Sequence, residues 1–214
     1  MIAKPILFNT AMVKALLAGR KIQTRRPVKD QDPFDDFEEL PPLDAVHQSM
    51  FQADYLWVRE TFFDAERFLS APAFQQLNSR FVYKADGTFI GCHKWKPSIH
   101  MPRKVSRITL AVKYYNVVRL HKITEADAKQ EGAFFVDYGK NKYGNQRPGW
   151  HMLPEVVNMG SDHCLNSARW AFANLWNKIY GQTFPWDSNP WVHVCVFDVI
   201  HKNIDEVLVA SKAA

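Results

Sequence analysis

Residues 16–27, LLAGRKIQTRRP, constrain this chain more than any other stretch. An apolar run ends at a glycine, and the next seven positions hold Arg20, Lys21, Thr24, Arg25 and Arg26. Met12, Val13, Leu16 and Leu17 have near-helical spacing, Asn9 or Thr10 can cap that helix, and Gly19 is its expected stop. The basic residues then leave the helix end as a loop that Pro27 closes. A lysine three residues before a threonine, beside three arginines, suggests a site for a polar or anionic ligand. A threonine hydroxyl attacks poorly until a base takes its proton, and a lysine whose pKa is lowered by neighbouring arginines can serve as that base. An ordinary solvated basic loop accounts for the same residues.

The rest of the chain alternates strand signals with irregular connections. Residues 5–8 form a first strand, and 55–61 (YLWVRET) a second by aromatic and β-branched content. Residues 30–50 are acidic and carry Pro33, Pro41 and Pro42, which marks an exposed loop or insertion. Residues 64–79 could hold a short helix broken by Pro72. A strand at 80–84 runs into an Ala85-Asp86-Gly87 turn. Residues 95–107 form a loop that leads into 108–120, the longest strand signal. Thr124 caps a helix over TEADAKQEG with Asp127 at the capping-box position and Gly132 as its stop. Residues 134–160 look like an irregular insertion, 162–180 the longest helix, closed by Gly181, and 191–200 (WVHVCVFDVI) a final buried strand, after which the chain frays. This pattern suggests one α+β domain over 1–214, built on a small, mostly antiparallel barrel.

Composition narrows the partners. With 27 Lys and Arg against 22 Asp and Glu the net charge is +5, which suits a nucleotide or nucleic acid without demanding one. Three cysteines, with no CxxC, argue against a disulfide framework and for a reducing cytoplasm. The N-terminus is too short and polar for a signal peptide, and no apolar run of about 18 residues offers a membrane span.

Three further groups could carry chemistry. Glu131 ends a helix, where a carboxylate opposes the dipole, so it is either held for function or simply solvent-facing beside Gly132. Arg59 and Glu60 end a strand; one should face inward and need a partner, with Arg25 or Arg26 available to Glu60. The segment Lys94, Trp95, Lys96, Ser98, His100, Arg103, Lys104, Arg107 interleaves basic and aromatic residues, as a phosphate-contacting, base-stacking groove or a charged surface loop would. Cys92-His93 and His163-Cys164 lack metal-ligand spacing, and Cys195 reads as core, so no metal is expected. No P-loop, GxGxxG, GxSxG or HExxH is present, and no cofactor is expected.

AGRKIQTRR, LWVRET, WKPSIHMPR, the TEADAKQEG helix and the terminal NPWVHVCVFDV strand together resemble an ASCH-domain protein, a relative of the PUA fold with phage- and prophage-encoded members. The resemblance implies a PUA-like β-barrel flanked by helices, with a cleft beside the loop after the first helix. A small bacterial ASCH member hydrolyses the amide of N4-acetylcytidine with a lysine, a threonine and a glutamate. These match Lys21, Thr24 and, in an A-x-Q-E segment, Glu131. On that reading Lys21 is the base, Thr24 the nucleophile and Glu131 a proton shuttle to the departing amine. Arg20, Arg25, Arg26 or a backbone N–H stabilises the oxyanion, Trp57 or Trp95 stacks on the base, and Arg59, Glu60, His100 and Arg103 complete the substrate contacts. The present chain is about twice as long as those hydrolases. The alternatives are a non-catalytic module that binds RNA or DNA, or a metal-independent ribonuclease.

Overall fold

The computed structural model describes residues 1–29, 31, 52–66, 80–87, 91, 93–159 and 164–213. In chain order its elements are β1 (Ala3–Leu7), α1 (Thr10–Leu17), β2 (Gln23–Pro27), β3 (Tyr55–Arg59), β4 (Phe62–Asp64), β5 (Phe81–Tyr83), β6 (Thr109–Arg119), α2 (Glu125–Gln130), β7 (Phe134–Phe135), β8 (Trp150–His151), α3 (Ala168–Tyr180), β9 (Trp191–Ile200) and α4 (Ile204–Ala213). Five strands form a mixed sheet in the order β1-β3-β6-β9-β2. β1 pairs with β3 in parallel, whereas β3 with β6 and β2 with β9 are antiparallel. The fold is therefore α+β. No closed barrel is found among the described residues, since β1 and β2 end the strand order. No helix among them is long and apolar enough to cross a membrane. The acidic stretch at 30–50, apart from residue 31, the helix expected within 64–79 from residue 67 onward, Cys92, and residues 160–163 lie outside the described residues.

Contacts divide the chain into two compact units, both discontinuous: residues 1–17, 53–111 and 199–214, and residues 18–52 and 112–198. In the first, the Asn9 side chain accepts from the Met12 amide at 2.8 Å and starts α1, which buries Ala11, Val13, Ala15 and Leu16. β4 and β5 form a hairpin ladder. Pro97 and Pro102 each precede a single 3₁₀ turn, Ser98–His100 and Arg103–Val105. The described residues after β9 are not frayed. α4 buries Ile204 and Val207, and Asn203 ties its start to the Arg103 and Ser106 carbonyls at 3.0 and 2.7 Å.

In the second unit the basic stretch is not a loop beyond Ile22. β2 lies on β9 with Thr24 opposite Cys195, and Gln23, Thr24 and Arg25 are all buried. Gly19 does stop α1, at φ +67°. Residues 134–160 are less irregular than expected, with β7 and β8 paired and a 3₁₀ segment at Pro154–Met159. α3 starts at Ala168 rather than 162, because Leu165 is engaged in an antiparallel bridge with Trp150 and Ser167 is extended and caps the helix. Its Phe172 and Trp176 join Leu120, Ile123, Trp186 and Val192 in the core of this unit. Burying each large side chain there stabilises by roughly 1.5–3 kcal/mol.

Candidate active site

The site is assembled where the start of β2 meets the end of α2. Thr124 and Asp127 form a reciprocal capping box, each backbone amide bonded to the other's side chain at 3.0 Å. That fixes where a short helix begins. Glu131 is its C-cap, and Gly132 turns the chain away at φ +111°. The turn lays Glu131 beside Lys21 in an isolated antiparallel bridge, with the Ile22 amide donating to the Gln130 carbonyl at 2.9 Å.

This backbone contact brings together side chains 110 residues apart. Lys21 Nζ lies 2.8 Å from Glu131 Oε2 and donates also to the Glu131 carbonyl at 3.0 Å. Arg25 donates to Glu131 Oε1 at 3.2 Å, and its other nitrogen lies 3.2 Å from Asp127 Oδ2. Gln23, with its amide oxygen turned to Arg25, accepts from that guanidinium and donates to Gln130. The Lys21 and Glu131 side chains are only 1% and 3% exposed. Burial pushes the Lys21 ammonium below the ordinary lysine range, and the Arg26 and Arg25 charges push the same way against the opposing pull of Glu131.

Thr24 is equally buried. Strand alternation puts it on the opposite face of β2 from Gln23 and Arg25, level with Cys195. The Cys195 thiol is pushed up to about 12, mainly by burial and then by the Glu131 charge. The remaining arginines of the stretch have structural partners. Arg20 donates to the Gly132 carbonyl at 3.0 Å and lies 4.7 Å from the centre of the Phe134 ring, and Arg26 donates to the Tyr180 hydroxyl at 2.7 Å.

The other expected site residues belong to the first unit. Glu60 is buried, and its partner is Arg107, at 2.9 and 3.1 Å, rather than Arg25 or Arg26. Arg107 also pairs with Asp86 and lies 3.9 Å from the Tyr83 ring centre. Trp57 is a core residue, with the Arg59 guanidinium 5.6 Å from its ring and donating to the Ile99 carbonyl. Arg103 pairs with Asp205 at 2.8 Å, Trp95 is half-buried and His100 is exposed. His100 lines a cavity in this unit with Lys96, Lys104, Arg80, Asp64, Phe62 and Phe81.

Two neighbours of the pair, Asp127 as the anchor of Arg25 and Gln23 beside that guanidinium, are not evident from the sequence pattern. A signal existed for the first: the carboxylate that a capping box requires can also face a cation, and here the same Oδ2 that accepts from the Thr124 amide lies by Arg25. Among the described residues no group of three or more His, Cys, Asp or Glu side chains is placed to hold a metal ion. No protein-family model, curated protein or solved structure matches the chain.

Proposed function

We propose that the second unit carries an amide hydrolase that removes acyl groups from the exocyclic N4 of cytidine-type nucleosides. The observation that supports it is the buried Lys21–Glu131 pair at 2.8 Å. Ammonium and carboxylate share one labile proton. Its transfer from Nζ to Oε2 leaves an amine and a carboxylic acid, the base and the acid that amide cleavage needs. Thr24 lies on the face of β2 away from Gln23 and Arg25, so opening of the unit has to bring Lys21 to the Thr24 hydroxyl, whose proton it takes as the threonine oxygen attacks the acyl carbon. Glu131 gives its proton to the departing amine as the C–N bond breaks, and water cleaves the resulting ester. Because all three groups are buried, turnover requires this part of the unit to open to substrate. The ASCH, PUA-like affiliation belongs to the same reading, on the strength of AGRKIQTRR and WKPSIHMPR, and a cytoplasmic setting goes with it on the strength of three cysteines without a CxxC.

The test is a spectrophotometric assay with N4-acetylcytidine. Loss of the acylated chromophore with the wild type, slowed at least about a hundredfold in Thr24→Ala, is the expected result. Equal activity in both discards Thr24 as nucleophile, and silence in both overturns the hydrolase.

One observation favours a second reading, a nucleic-acid-binding surface on the first unit. Lys96, His100 and Lys104 line one cavity with Phe62 and Phe81 at its wall. Two prolines and a Phe62–Lys96 bridge hold the segment that carries the cations. Phosphates and bases are recognised by such a mixture of charge and ring faces.

A further inference from the structure

Cys164 and His151 form a cluster that the proposed hydrolase does not use. β7 and β8 pair through Phe134 and His151, and the bridge from Trp150 to Leu165 brings Cys164 alongside. His151 is buried against the Phe134 ring, and its Nε2 lies 3.4 Å from Cys164 Sγ and 3.2 Å from the Tyr138 hydroxyl. The Tyr138 hydroxyl donates its own proton to the Val157 carbonyl at 2.9 Å, so it offers Nε2 only lone pairs. Burial pushes the His151 pKa down, which keeps the ring neutral with a single N–H. That proton belongs on Nε2. Nδ1 is buried with no partner, a situation better tolerated by a bare acceptor than by an N–H. Nε2–H is then a donor shared between the Tyr138 oxygen and the sulfur.

We infer that Cys164 is a reactive thiol, a modification site for peroxides, whose thiolate is held by the Nε2–H of His151. A donor aimed at sulfur favours the thiolate, which is the nucleophilic form, and Cys164 is partly exposed. With hydrogen peroxide, the thiol proton goes to solvent and the thiolate attacks one peroxide oxygen. The S–O bond forms as the O–O bond breaks, and the leaving hydroxide takes up the proton that the thiol gave to solvent. Sulfur is oxidised to sulfenate and the peroxide is reduced. Cys195 is the internal contrast, buried and with its thiol pushed up to about 12.

Site-resolved mass spectrometry of the full chain tests this with iodoacetamide, and with hydrogen peroxide followed by dimedone. In the folded protein Cys164 should be alkylated about tenfold faster than in the guanidinium-unfolded chain, and should carry the dimedone adduct. His151→Phe keeps the ring stack and removes the donor. It should bring the rate to that of the unfolded chain or below, with Cys195 still unlabelled as the sign of an intact core. A folded wild-type rate at or below the unfolded one overturns the inference without recourse to any variant. So does a His151→Phe protein that reacts as fast as the wild type.

Discussion

Glu131 holds one negative charge between two cations, Lys21 on Oε2 and Arg25 on Oε1, with almost no water in reach. Removing one partner of a buried pair leaves an uncompensated charge, so Glu131→Gln should destabilise by about 3–5 kcal/mol in urea unfolding. Adding Lys21→Met should recover much of that loss while activity on N4-acetylcytidine stays absent, which separates the fold's need for the pair from the chemistry's. A second titration sits on β9. His193 is held at about 4 by burial, with its Nδ1 against the Tyr115 hydroxyl at 2.6 Å. Its folded-state value lies below that of the unfolded chain, so the unfolded chain binds the extra proton between the two. Stability should therefore fall as the pH drops from the ordinary histidine range toward about 4, and His193→Gln should flatten that limb in unfolding curves taken across it.

The helix that delivers Glu131 is only six residues long, so its ends decide whether it forms. Burial opposes ionisation of Asp127, but the Thr124 amide and hydroxyl and the Arg25 charge hold its carboxyl below the usual aspartate range. The stability it contributes is present above the unfolded aspartate value and is lost as the pH falls through the folded one. Asp127→Ala should cost about 1 kcal/mol for the cap, and more because Arg25 loses an anchor, read as a shift in denaturation midpoint at unchanged slope. Ser167→Ala at the start of α3 should cost about 1 kcal/mol by the same mechanism, with no effect on the Lys21–Glu131 pair. α2 was legible because Thr-x-x-Asp followed by a glycine stop is a local pattern. The start of α3 was not, because the bridge from Leu165 to Trp150 stops the helix from beginning earlier, and no spacing in the sequence announces that partner.

For the whole molecule, a net charge of +5 says little until the positions of the cations are known. Many are already paired: Arg25, Arg80, Arg103 and Arg107 face carboxylates. If the first unit binds RNA, the logarithm of the affinity should fall linearly with log salt, and Lys96→Glu with Lys104→Glu should weaken binding and reduce the slope by about 2, measured by fluorescence anisotropy. Turnover at Thr24 should be untouched. The sequence by itself determined the α+β class, β3, β6 and β9, the capped α2 and the glycine stop after α1, since each rests on propensity and spacing within a dozen residues. It also put Lys21, Thr24 and Glu131 forward together, but only through a resemblance; the residues alone allowed a solvated basic loop and an exposed glutamate. Tertiary structure decided that QTR of that stretch is a buried strand, that Glu60 takes Arg107, and that Lys21 meets Glu131. The reason is physical. A buried charge must find its counter-charge wherever the chain folds back, and here the distance along the chain, 110 residues, lies far outside any local pattern.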